Sequence, residues 1–188
     1  MSRPRSDEKR SAILEAAARV FVAEGLSAPT AGIAKAAGVA NGSLFTYFET
    51  KADLFNQLYL ELKGEMAATA MKDLPKGDDL HEQFLHVWSN WMRWAVRNPD
   101  QRRALALLGV SDQITPASRA AGHQIMAGIA ALMERGRANG PMAEAPFALV
   151  TAIMTALAEA TMDFMVQDPA GAEAHCQVGF FALWRMLR

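Results

Sequence analysis

Cysteine is almost absent from these 188 residues: Cys176 stands alone. No intrachain disulfide can form, which points away from an oxidising compartment and toward a reducing cytoplasm. A surplus of charge is lacking too. The formal net charge is −1, so the overall field favours no polyanion, and any basic patch has to be local. The start, Met1-Ser2-Arg3-Pro4-Arg5, leads into a charged amphipathic stretch where a secretory signal would have an apolar core. The most apolar uncharged run, Ala145 to Ala158, is too short to span a bilayer and is interrupted by Thr151 and Thr155. It reads as a buried helix, with no membrane partner. No alternating strand pattern, internal repeat or low-complexity linker is visible. Nor is there a nucleophile–base pair, a phosphate loop or a metal constellation. His123 has no His, Cys or carboxylate at ligand spacing. An enzyme, a cofactor and a metal site are therefore not expected.

What the chain does have is apolar residues, 51% of the total, in a helical period almost throughout. Ile13, Leu14, Ala17, Val20 and Phe21 form the first stripe. Ser6 is the expected N-cap, with Asp7 and Glu8 in the first turn, and Gly25 the stop. Thr30 is read as the N-cap of a short second helix ending at Gly38. A third runs from Asn41 to about Phe48. Thr50 and Asp53 approximate a capping box for a longer fourth. Later helices are marked by Leu80 to Ala95, by Leu105 to Leu108, and by the Thr115-Pro116 start that runs to Gly140. The last two span about Pro146–Val166 and Gly171–Arg188. About nine helices are expected, with a flexible loop around Pro75 to Asp79.

The informative segment is Thr30 to Lys51, TAGIAKAAGVANGSLFTYFETK. Two short helices flank a turn in which Gly38 supplies a conformation that a Cβ would hinder. Ile33, Ala34, Ala37, Val39, Leu44 and Phe48 can pack the pair against the first helix. The second of the pair opens with Asn41, Gly42 and Ser43. Short side chains let the backbone approach a major groove, and amide or hydroxyl groups pair with base edges. Residues 1–51 hold seven Lys and Arg against five Asp and Glu, a balance of +2; the rest carries twelve against fifteen, −3. The sign of this asymmetry suits an N-terminal domain that faces phosphates.

Thr30, Ile33-Ala34, Ala37-Gly38-Val39, Gly42, Leu44-Phe45, Tyr47-Phe48, Lys51 and Leu54, with Phe21 and Gly25 before them, resemble the TetR family of transcriptional repressors. The match covers about the first 55 residues. It implies an all-α fold, with a helix-turn-helix domain at 1–50 and an effector-binding and dimerisation domain at 51–188. It also implies double-stranded DNA as partner: Thr30 on a phosphate, Asn41, Gly42, Ser43 and Thr46 facing the groove, Tyr47 and Lys51 gripping the backbone. Phe45 stands where the family usually has Tyr. It loses the phosphate-seeking hydroxyl and suits a thymine methyl instead. Ala40 replaces the usual Ser or Thr cap of the recognition helix. Arg3 and Arg5 form an arm suited to an adjacent minor groove.

The C-terminal half adds support of its own. Its last two helices are apolar on more than one face, so each must be covered on two sides. A second copy on Phe147, Val150, Met154, Leu157, Val178, Phe181 and Trp184 would give a two-fold four-helix interface. Ala152, Ala156, Ala160 and Gly179 would allow close helix approach. Trp88, Trp91, Met92, Met126 and Met154 are wide, adaptable and apolar, which suits a small hydrophobic or aromatic effector. The expected function is a cytoplasmic, ligand-responsive repressor that binds a palindromic operator as a homodimer and is released by that effector. The alternative is a DNA-binding regulator whose C-terminal half takes a protein partner.

Overall fold

The computed structural model describes residues 3–188, with side chains from Asp7 onward. Ten α-helices and no strand occur among the described residues. They are α1 (Arg3–Glu24), α2 (Thr30–Ala36), α3 (Asn41–Tyr47), α4 (Lys51–Met71), α5 (Leu80–Arg97), α6 (Pro99–Gly109), α7 (Pro116–Ile125), α8 (Ala127–Arg137), α9 (Phe147–Gln167) and α10 (Ala172–Leu187). The count exceeds the expected nine because the helix begun at Pro116 breaks at Met126, whose ψ of 0° leaves the helical range.

The chain forms two compact units, one of residues up to Gly64 with Asn98–Gln124, the other of Glu65–Arg97 with Ile125–Arg188. This division differs from the expected boundary after residue 50. The reason lies in α6 and the loop after it. Ala104, Leu108 and Ile114 are buried in one cluster with Ile13, Ala17, Phe21, Leu54 and Leu58. Burying a side chain of Ile, Leu or Phe size contributes about 1.5–3 kcal/mol, so α6 is part of the head and not an appendage.

Within the first unit, the α1 stripe buries as its spacing demands: Ile13, Leu14, Ala17, Val20 and Phe21 are all inside. Phe21 meets Phe55 of α4 edge to face, centroids 4.8 Å apart. The helix starts at Arg3, three residues before the expected cap at Ser6, so Asp7 and Glu8 fall beyond its first turn. Pro4 is tolerated there because a first-turn residue has no intrahelical N–H partner to lose. Gly25 ends α1 with φ +80°, and its N–H bonds to the Phe21 carbonyl at 3.0 Å.

A buried amide ties α4 to the loop between α6 and α7. Asn56 donates to the carbonyls of Ala52 (2.7 Å) and Gln113 (3.0 Å), and its oxygen accepts from the Thr115 N–H (2.9 Å). Arg119 closes the loop from α7, donating to the Gly109 and Ser111 carbonyls at 2.8 Å each.

The second unit is built on α5, whose apolar face buries Phe84, Val87, Trp88, Met92 and Ala95 at helical spacing. The stretch before it, expected to be flexible, is tied down. Buried Gln83 donates to the Pro75 and Gly77 carbonyls, 3.0 Å each. Helices α9 and α10 form a hairpin whose turn is held by Asp168, which accepts from the Gly171 N–H at 3.1 Å and pairs with His175 at 3.0 Å. The His175 bond, then the Gly171 bond, hold the Asp168 carboxyl below its ordinary pKa. Gly179 lets the two helices approach: a Cβ there would run into Thr161 and stand 2.9 Å from the Trp88 ring.

Candidate nucleic-acid interface and effector cavity

The turn between α2 and α3 takes the shape that Gly38 permits, at φ +67°. Behind it the Val39 N–H bonds to the Ala34 carbonyl at 3.0 Å. Ile33, Ala34, Leu44 and Phe48 are buried and anchor both helices. The opposite side of α3 faces solvent. Asn41, Gly42, Ser43, Phe45 and Thr46 are exposed, and Thr30, Tyr47 and Lys51 are half-buried beside them. Eight of the ten residues expected at DNA thus share one head. The side chain of Thr30 caps nothing, because α2 begins at Thr30 itself, with Pro29 in the N-cap position. The expected N-cap is displaced by one residue, since Pro29 at φ −71° and ψ 144° already sets the extended entry. Arg3 and Arg5 lie outside the residues whose side chains are described.

Helix α3 carries no side-chain cap at Ala40, in line with its sequence. The next helix does. Thr50 accepts the Asp53 N–H at 3.0 Å, while Asp53 reaches back to the Glu49 N–H at 3.0 Å. This is the expected box, with its return bond shifted to the residue before the cap. Lys51 sits at the start of α4 with Nζ 5.4 Å from the Phe55 ring centroid. Arg10, a residue the sequence reading did not single out, braces the base of α3. Its guanidinium donates to Glu61 and Gln57 at 3.1 Å each and stands 5.9 Å over the Phe48 ring. Its only sequence signal was a cation at the rim of the apolar stripe of α1.

In the second unit a cavity of about 40 Å³ is lined by apolar side chains from α4, α5, α7/α8, α9 and α10. Of the five residues expected at an effector, Trp88, Trp91, Met126 and Met154 line it. Met92 does not: it is fully buried elsewhere in the unit, one position round α5 from Trp91 and so turned to a different neighbour. The reading missed Met66 and Ala70 at the end of α4, and Met133 and Leu183 also join the wall. Met66 and Ala70 continue the Leu58, Leu62 spacing, which was the available signal. The Trp88 indole N–H is already engaged with the Cys176 carbonyl, at 3.0 Å.

The expected interface residues divide. Val178 and Phe181 of α10 are exposed, by 68% and 62%. Val150, by contrast, is fully buried within its own unit, and Met154 turns to the cavity. Phe147, Leu157 and Trp184 are half-buried, Phe147 beneath Arg137 at 5.6 Å and Trp184 stacked on Phe180. The outward face of α9 is instead Leu149, Ile153, Ala156, Ala160 and Phe164. This is a rotation of about one residue from the expected set. Gly179 serves the approach of α9 and α10 within the chain.

The chain's likenesses agree with this geometry. The profile described as bacterial regulatory proteins, tetR family, matches residues 13–58. The HTH-type transcriptional regulator AcrR of Shigella flexneri is 39% identical over 90 residues, which cover 44% of this chain and 41% of AcrR. The match thus spans about two fifths of that relative. A tetR family transcription regulator from Shewanella sp. PV-4 is 33% identical over 94% of this chain and 95% of its own, with a TM-score of 0.81. Another, from Marinobacter aquaeolei VT8, is 25% identical over 98% of both chains, with a TM-score of 0.83. A solved relative one-third identical and matched almost end to end leaves one assignment: the chain belongs to the TetR family of transcription regulators.

Proposed function

We propose that this protein is a cytoplasmic, ligand-responsive transcriptional repressor that binds a palindromic operator as a homodimer and is released by a small hydrophobic effector. One observation carries the reading. On α3, small neutral residues face solvent above a fully buried Leu44 and Phe48, which is what a helix laid in a major groove needs. Two such helices enter successive grooves about 34–36 Å apart. Thr30, Tyr47 and Lys51 hold phosphates; Asn41, Ser43, Phe45 and Thr46 meet base edges, and Gly42 lets the backbone come close. Arg3 and Arg5 reach the minor groove.

The second copy covers the outward apolar face of α9 and α10, from Leu149 and Ile153 to Val178 and Phe181. By length and composition α9 is also apolar enough to cross a membrane, so its company has to be measured. Sedimentation without detergent is expected to give a dimer, and Phe181→Asp a monomer. Partition of the chain into lipid vesicles would count against the dimer.

The effector binds where Trp88, Trp91, Met126 and Met154 meet. A 40 Å³ cavity admits little more than water, whereas ligand sites run to hundreds of Å³. Binding therefore requires the methionines Met66, Met126, Met133 and Met154 to swing aside, as their unbranched side chains allow. Met66 and Ala70 share α4 with Lys51, so a ligand that displaces them acts on the same helix that grips DNA. It must bind the DNA-incompetent state preferentially, or nothing shifts. A second reading, a protein partner for this half, draws on the open groove of about 390 Å³ along His81, Leu85, Val178 and Phe181.

The test is operator affinity against salt. Lys51→Ala is expected to weaken binding to all sequences and lower the salt slope by about one. Asn41→Ala and Ser43→Ala are expected to change base preference instead. Identical effects from both kinds of variant would remove the role assignment. Operator affinity that no apolar compound alters would remove the small-molecule arm.

A further inference from the structure

The face that α3 presents has a chemical bias. Its exposed residues are Asn41, Gly42, Ser43, Phe45 and Thr46. None is Arg or Lys, the side chains that pair with guanine O6 and N7, and none is Asp or Glu, which accept from cytosine N4. The one bidentate group on the helix is the Asn41 amide, whose donor and acceptor match adenine N6 and N7.

Phe45 sharpens the bias. It is 43% exposed on a helix whose other exposed residues are polar or small. Four positions after Asn41, it lies on the same face one turn on. In a major groove its ring meets either a thymine C5-methyl or the polar edge of a G·C pair. The second would cover guanine O6 and cytosine N4 with a ring that bonds to neither, at the cost of their water. The Thr46 methyl beside it favours the same partner. At Gly42 a Cβ would meet nothing within 4 Å, so the surface there is open and the helix can lie close to the bases.

We infer that α3 reads A·T pairs: an adenine opposite Asn41 and a thymine methyl opposite Phe45 in each half-site. The inference rests on the DNA-binding reading above and names what that surface recognises. Phosphate contacts supply affinity without choosing a base, so this neutral face is left to make the choice.

The experiment is selection of randomised duplexes by the full chain, followed by replacement of single thymines by deoxyuridine, which removes only the methyl. Selected half-sites are expected to hold invariant A·T pairs at the α3 positions. One deoxyuridine is expected to weaken binding about fourfold, the worth of one buried methyl-sized group, and to have no further effect on Phe45→Ala. Asn41→Ala is expected to lose at least about fivefold discrimination at the adenine. Both side chains are exposed, so neither variant threatens folding. Half-sites built on invariant G·C pairs, or indifference to every deoxyuridine, overturn the inference while leaving DNA binding intact. A selection that enriches no duplex overturns the DNA-binding reading and the inference with it.

Discussion

Trp88 of α5 donates its indole N–H to the backbone carbonyl of Cys176 in α10, 3.0 Å away and fully buried. The bond sets the plane of a ring that packs edge-on to Trp91, centroids 6.1 Å apart, and forms part of the cavity wall. Trp88→Phe removes the donor and leaves a void where the larger ring stood. The expected cost is about 1–3 kcal/mol, read from the urea midpoint at unchanged slope. A variant as stable as wild type would mean that the bond contributes nothing net.

Gly179→Ala places a Cβ against Thr161 and the Trp88 ring. Neither neighbour sits at the end of a flexible chain with room to retreat. Overpacking of this kind costs about 1–3 kcal/mol, which calorimetry would record as a melting point lowered by roughly 2–10 °C.

Asn56→Ala removes all three hydrogen bonds of a buried amide, while the exposed Thr115 leaves its N–H within reach of water. The net cost is that of lost intramolecular bonds, about 0.5–1.5 kcal/mol each. Amide exchange should show it first at Gln113 to Thr115, where the loop loses its anchor on α4.

Ala40→Ser adds the missing cap. Its hydroxyl can accept from the Gly42 or Ser43 N–H at the start of α3, a gain of about 1 kcal/mol. Exchange of the α3 amides in free protein is expected to slow. In the wild type these amides should exchange fast without DNA and slow on operator binding; strong protection without DNA would contradict that account.

Burial pushes the Cys176 thiol above its ordinary pKa, and the residue is only 1% exposed. At neutral pH it stays protonated, so a thiol reagent should label it only on unfolding. The sign of the linked pH effect follows. Above the ordinary thiol pKa the unfolded chain releases its proton first, so stability contributed by the buried thiol falls as pH rises. Rapid labelling of native protein would place the thiol at the surface.

Much of the head was legible because its signals are local. Gly25 and Gly38 adopt the positive φ that a stop and a turn require, and Thr50 with Asp53 closes a box within four residues. The C-terminal half was legible only in outline. Helix α9 is apolar on nearly every side, so periodicity could not choose between a face with Val150 and Met154 and one with Leu149 and Ile153. Met92 and Trp91 are neighbours in sequence, yet only Trp91 reaches the cavity.

The amino-acid order by itself determined that the chain is helical, where the short helix from Asn41 starts and that it lacks a cap. Each of these depends on interactions within one turn of backbone. Only the tertiary structure decided that α6 completes the core of the head, that Val150 lies inside and Phe181 outside, and that side chains from five helices line one apolar cavity. Those outcomes depend on which surfaces meet across long separations in the chain, and an apolar side chain carries no label for the neighbour that will cover it.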